Sequence, residues 1–205
     1  MRLRIAVAAA LAACVVVPVA RADGDPASDY LLSQKTFIPF DANIPAAKAA
    51  ALNGIVTDAK QKGYTVRVAI ISRPFDLGAV PSLWRKPKTY SRFLGQELFF
   101  VYKGRLLVVM PNGYAVSRGG KTYPRGQAVV DRLPPPGSGG AALVAGATRA
   151  VRELAANEGV HAVVPASAST SSSSTNDRLI IAAAAGGIAL LILGGMGLKR
   201  LLARR

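Results

Sequence analysis

The chain is poor in the residues that most enzyme chemistry uses. Among its 205 residues there is one cysteine, one histidine and one tryptophan. The single cysteine, Cys14, excludes an internal disulfide and any zinc site built on paired thiolates. The single histidine, His161, would have to serve any Ser-His-Asp triad. It stands beside a serine-rich stretch and reads as a solvated linker residue. Acidic residues are also few, 11 Asp and Glu against 26 Lys and Arg, for a formal charge of +15. Magnesium or calcium needs several converging oxygens. The candidates are Asp41, Asp76 and Glu97, scattered singly, each suited to capping a turn or pairing with an arginine. There is no Gly-x-Ser-x-Gly elbow and no Walker loop. These scarcities yield no catalytic residue, no metal ligand set and no expected cofactor.

Both ends of the sequence differ in composition from the middle. The start, "MRLRIAVAAALAACVVVPVARADG", has two arginines, an apolar run from Ile5 to Ala20 and an Ala20-Arg21-Ala22 cleavage pattern. It reads as a secretory signal peptide over 1–22. "LAAC" has the form of a lipidation motif, but the apolar run continues through Cys14, and cleavage after Ala22 would remove it. Near the other end, "LIIAAAAGGIALLILGGMGL" gives 20 consecutive uncharged residues over 179–198. At helical rise they cover about 30 Å, the thickness of a bilayer's hydrocarbon core. Lys199, Arg200, Arg204 and Arg205 follow in a basic tail, 199–205. The positive-inside bias places that tail in the cytoplasm and the middle of the chain outside, as a single-pass protein of the cell membrane. A serine-dominated tether over 165–178 joins the two.

One domain, 25–164, remains, long enough for a single core. Between residues 23 and 165 there are 18 Lys and Arg against ten Asp and Glu. Such a charge attracts anionic lipid or an acidic polymer. Nucleic acid is excluded as a partner by the external placement and by the lack of any matching motif. "DYLLSQKTFIPFDANIP" reads as an extended lead-in. A helix follows from Pro45 to Gly63, capped by Asn43, with Ala49, Leu52, Ile55, Val56 and Ala59 on its apolar stripe. "YTVRVAII" alternates as a strand, with Val66, Val68 and Ile70 on one face. The sixteen residues from Ser72 to Pro87 exceed a usual connection. A second helix is expected from Lys88 to about Val101, with Tyr90, Phe93, Leu94, Leu98 and Val101 inward. Leu106 to Met110 then form a strand that stops at Pro-Asn-Gly, and "YAVSR" can return antiparallel. A third helix is expected over about Ala141 to Ala156, with Leu143, Ala147, Val151 and Leu154 on its stripe. The fold class is therefore α/β, a small, mostly parallel sheet sandwiched by helices, with one C-terminal transmembrane helix.

Two groups of residues are candidates for binding. Ser72, Arg73, Asp76 and Asn112 lie just past strand ends, where open α/β sheets form their crevice, and Asp41 can join them. They either hold a ligand or cap turns. "LWRKPKTYSR" places Trp84 among Arg85, Lys86, Lys88 and Arg92, which suits an anionic surface or a membrane interface. The alternative is an indole packed into the core with its charges in solvent.

"GYTVRVAII", "YSRFLGQEL" and "GRLLVVMPNG", in this order, resemble the first strand, crossover helix and second strand of the TPM domain family. That family includes thylakoid-lumen proteins of photosystem II repair and many exported bacterial membrane proteins. The layout of signal peptide, domain and closing transmembrane helix is similar too. The resemblance covers about residues 28–160. It implies an assembly or binding module for an envelope protein or an anionic component. For some members it implies an acid phosphatase with clustered aspartates and a divalent metal, calcium or magnesium. Here Lys103-Gly104-Arg105 stands where the family often has Asp-Asn-Gly, and a cation there weakens the phosphatase reading. A lipid-surface domain is the third expectation.

Overall fold

The computed structural model describes residues 24–166. The expected signal peptide, transmembrane span and basic tail lie outside the described residues, as does the tether beyond Ala166. Among the described residues no helix is long and apolar enough to cross a membrane.

The elements, in chain order, are α1 (Pro26–Ser33), β1 (Thr36–Phe37), α2 (Ala46–Gln61), β2 (Val66–Ile70), α3 (Pro87–Glu97), β3 (Arg105–Met110), β4 (Gly113–Arg118), β5 (Lys121–Thr122), α4 (Pro124–Val130) and α5 (Gly140–Ala156). The strands form one sheet in the order β1-β2-β3-β4-β5. β1, β2 and β3 are parallel, because each is joined to the next through a crossing helix. β3, β4 and β5 are antiparallel. Only Pro111 and Asn112 lie between the paired residues Met110 and Gly113, too few to return a strand in parallel. The sheet is therefore mixed, half parallel and half antiparallel, where the sequence suggested mostly parallel.

The sheet is covered on both faces. Val66, Val68 and Ile70 of β2, Leu107 and Val109 of β3 and Val116 of β4 pack under α2 and α5. Ala69 and Ile71, with Leu106, Val108 and Met110, pack under α1 and α3. This explains the unbroken apolar run of β3. A central strand buried on both faces has no polar side to show. α5 places Leu143, Ala147, Val151 and Leu154 in the core, as its periodicity indicates. α2 ends on Gly63 at φ +96°, with Tyr64 N donating to Ala59 O (2.8 Å), the return bond of a glycine-terminated helix.

Three local expectations are corrected. The lead-in is not extended throughout: Asp25 caps α1 by accepting from Ala27 N (3.1 Å), and Pro26 opens the helix. Asn43 is not a cap. It sits at φ +50°, and α2 starts from Pro45 with no side-chain cap. α3 stops at Glu97, so Tyr90, Leu94 and Leu98 face inward but Val101 does not, being 60% exposed. β5 and α4 had no counterpart in the sequence reading.

Candidate functional site

The C-terminal ends of β2 and β3 lead into the loops that build the candidate crevice, which lies at the β3–β4 turn and the start of α3. Its geometry starts with the Ser72–Lys86 connection, which folds into two short 3₁₀ turns, Pro74–Leu77 and Pro81–Leu83. Asp76 holds the first turn. Its Oδ2 accepts from Ser72 N (2.7 Å), Ser72 Oγ (2.7 Å) and Arg73 N (3.0 Å), and the side chain is buried. Asp41 forms an ion pair with Arg73, whose Nη2 also donates to the Asp41 carbonyl (3.2 Å). Four of the five strand-end candidates thus bind one another, two carboxylates bracing one loop.

Asn112 is engaged elsewhere. Its Nδ2 donates to Arg85 O (2.7 Å), tying the β3–β4 turn to the last residues of the connection. Arg85 lies in the left-handed region at φ +59°, a conformation costly for a non-glycine residue. The bond from Asn112 fixes the peptide that carries this strain. Immediately after it, Lys86 stands at the entry to α3, with Pro87 first in the helix and no side chain capping the start. The amides of Lys88 and Thr89 lie in the first turn, where no intrahelical acceptor exists. The two candidate groups therefore meet: Asn112 from the strand ends, with Arg85, Lys86 and Lys88 from the basic segment.

A cavity of about 500 Å³ lies at this junction. One wall is Lys86, Lys88 and Thr89. The floor is the β3–β4 turn with Tyr114, and the far wall is Val130 and Asp131 at the end of α4. Asp131 pairs with Lys88 (3.2 Å) and accepts from Gln127 Nε2 (2.8 Å). Gln127 is itself buried and acts as a substitute strand: its Oε1 accepts from Val116 N (2.9 Å) at the edge of β4. Tyr114 donates to Pro134 O (3.2 Å), and burial raises its phenol above the usual range. Asp131 and α4 were missed in the sequence. Pro124 at the first helical position, with Gln127 and Val130 three residues apart, is the signal that could have found them.

The remaining candidates are placed as follows. Trp84 is half-buried against the α3-side core while Arg85, Lys86, Lys88 and Arg92 are exposed, so the indole packs and the charges face solvent. Glu97 ends α3, at the opposite end of the sheet from the crevice. Arg105 also lies there. It starts β3 and pairs with Glu158, so the cation of the Lys103-Gly104-Arg105 segment does not lie at the strand-end carboxylates. His161 is exposed, and its carbonyl accepts from Lys62 Nζ (2.9 Å). Among the described residues no three His, Cys, Asp or Glu side chains gather as a metal set. What the crevice can do chemically is hold an anion. It offers Lys86 and uncapped helix amides, with Lys88 beside them paired to the one carboxylate of the lining, Asp131.

Compared with known proteins, the chain matches no family model, no curated protein and no solved structure.

Proposed function

We propose that this is a membrane-anchored extracytoplasmic binding module whose strand-end cavity takes an anionic group of an envelope component. The observation that carries the reading is the division of labour at the crevice. Asp76 and Asp41 are spent on bracing the Ser72–Lys86 connection, while Lys86, Lys88 with its partner Asp131, and an uncapped helix start line an open cavity. Anchoring and outward placement rest on the sequence of residues 1–22 and 179–205. The assembly-module character rests on the TPM-like segments. Phosphatase chemistry would need a metal held against the transferring oxygens or an activated nucleophile. Asp76, the carboxylate nearest to such a role in sequence, has three donors on one oxygen and serves the fold.

The test is a titration of the full chain with pyrophosphate and with short polyphosphate. Binding is expected to weaken about tenfold or more in a Lys86→Gln, Lys88→Gln chain, as two charge-assisted contacts are lost. Hydrolysis of an aryl phosphate with Mg²⁺, Mn²⁺ or Ca²⁺ supplied is expected to be absent. Turnover that disappears in a folded Asp76→Asn chain would establish the phosphatase instead. Unchanged binding in the double variant would remove the cavity as the site.

A further inference from the structure

The end of the sheet opposite the crevice carries an apolar turn that the described residues leave largely uncovered. α3 buries Tyr90, Leu94 and Leu98, then stops, and the chain swings outward. Phe99, Phe100 and Val101 follow in succession at 39%, 94% and 60% exposure. Tyr102 turns back, its hydroxyl donating to Arg105 O (2.8 Å), so the outward excursion is closed by a fixed bond rather than left loose. Three consecutive large apolar side chains in water are costly, and such patches mark contact surfaces.

The surroundings of the turn are basic. Lys103 Nζ lies 4.6 Å from the Phe99 ring centre. The Gly119–Gly120 turn packs beside Phe99, since a Cβ added at Gly119 would lie 3.7 Å from that ring. Arg118 and Lys121 flank this turn, directly opposite each other between β4 and β5. Like charges facing each other across strands destabilise a sheet. Arg118 also faces Arg105, which has Glu158 as its counterion. Lys103, Arg118 and Lys121 are exposed, and Glu97 is the carboxylate at the end of α3. An anionic surface would relieve the repulsion and cover the aromatics together.

The last described segment is held at this same end. Glu158 pairs with Arg105 at the start of β3, Lys62 donates to His161 O, and Val163 N donates to Asp58 Oδ2 (2.8 Å). From Ala166 to Arg178, 13 residues of tether reach at most about 45 Å. We propose that Phe99, Phe100 and Val101 insert into the interface of an anionic bilayer, with Lys103, Arg118 and Lys121 on its head groups. This rests on the reading above that the chain is held at a membrane. Trp84 is then not the lipid contact, and the ligand cavity faces away from the bilayer. The crevice end also shows aromatics, Phe40 and Phe75, but Arg73 beside them is engaged with Asp41, and the described chain begins there, at Gly24, rather than ending there.

The experiment uses the full chain with Cys14→Ala, reconstituted in vesicles of phosphatidylcholine alone or with phosphatidylglycerol. A polarity-sensitive dye is placed at Phe100→Cys or, as comparison, at Phe75→Cys. The label at 100 is expected to shift blue and to be quenched by shallow spin-labelled lipid in the anionic vesicles, while the label at 75 remains in water. Replacing Lys103, Arg118 and Lys121 by Gln should weaken insertion by about fivefold per cation. A chain that resists alkaline extraction yet keeps the label at 100 in water overturns the insertion. So does burial of position 75 instead, or a lipid-independent blue shift that grows with protein concentration and cross-links 100 to 100, which would assign the turn to a second copy. Burial of position 100 in a chain that alkali extracts keeps the insertion and overturns the anchoring.

Discussion

Asp25 is a carboxyl whose surroundings move it well away from its intrinsic chemistry. It is buried, caps α1, and accepts the Tyr90 hydroxyl on both oxygens (2.8 Å each). Burial pushes its carboxyl up to about 6 from an ordinary 3.8, against the lowering effect of the Tyr90 and Ala27 bonds. Between those values the folded chain keeps a proton that the unfolded chain has released. Stability from this group therefore rises as pH falls from about 6 to about 4, by an amount on the order of 3 kcal/mol. Asp58 works the other way and in another window. Val163 N and Lys62 hold its carboxyl below the usual range, so the stability it gives is lost only as pH falls below about 4. Urea unfolding of an Asp25→Asn chain should show higher stability than the parent at pH 7 and a flattened profile between pH 4 and 6. Tyr90→Phe should cost about 1–3 kcal/mol, by removing a donor to a buried carboxylate. An unchanged slope in Asp25→Asn would mean that another group sets the acid response.

At the scale of elements, the structure divides into parts held by repetition and parts held by single bonds. α2, β2, β3 and α5 were legible because their apolar spacing runs over many residues, and burial on both faces left β3 no ambiguity. α1, β5 and α4 were not, because each is two to eight residues long and is fixed by a few particular contacts. Gln127 filling in for a strand, or Tyr90 reaching 65 positions back to Asp25, has no local signature. The site was legible in part for the same reason. The strand ends and the basic segment both stood out. Their meeting through Asn112 and Arg85, and the wall supplied by Asp131, depend on packing between distant segments. The Ser72–Lys86 connection gives the test at this scale. Asp76→Ala leaves the amides of Ser72 and Arg73 without their acceptor, so thermal unfolding should show a loss of about 2 kcal/mol. Lys86→Gln, exposed and outside that network, should leave stability unchanged. Equal losses in both would mean that the connection is not organised by Asp76.

For the whole molecule the governing quantity is charge. Residues 24–166 contain 18 Lys and Arg against nine Asp and Glu. Four cations are in ion pairs, Lys62 with Asp58, Arg73 with Asp41, Lys88 with Asp131 and Arg105 with Glu158. The other fourteen have no carboxylate within ion-pair distance among the described residues. Two effects of salt then compete. Screening weakens the four pairs, but pairs with exposed partners are worth little. Screening also weakens the repulsion among the unpaired cations, which acts over the whole surface and falls away once the Debye length drops to about 10 Å at 0.1 M. Repulsion involves more charges, so it decides the sign. Raising sodium chloride from about 20 mM to about 300 mM should raise the melting temperature of the full chain in neutral detergent, most steeply at the low end. Relief of about 1 kcal/mol corresponds to about 4 °C for a domain of this size. Lys103→Gln with Lys121→Gln removes repulsion at one end without touching an ion pair, and should raise the low-salt melting temperature while reducing the salt slope. A melting temperature that falls with salt would show that the ion pairs dominate, and that the excess positive charge is not under strain awaiting an anionic surface.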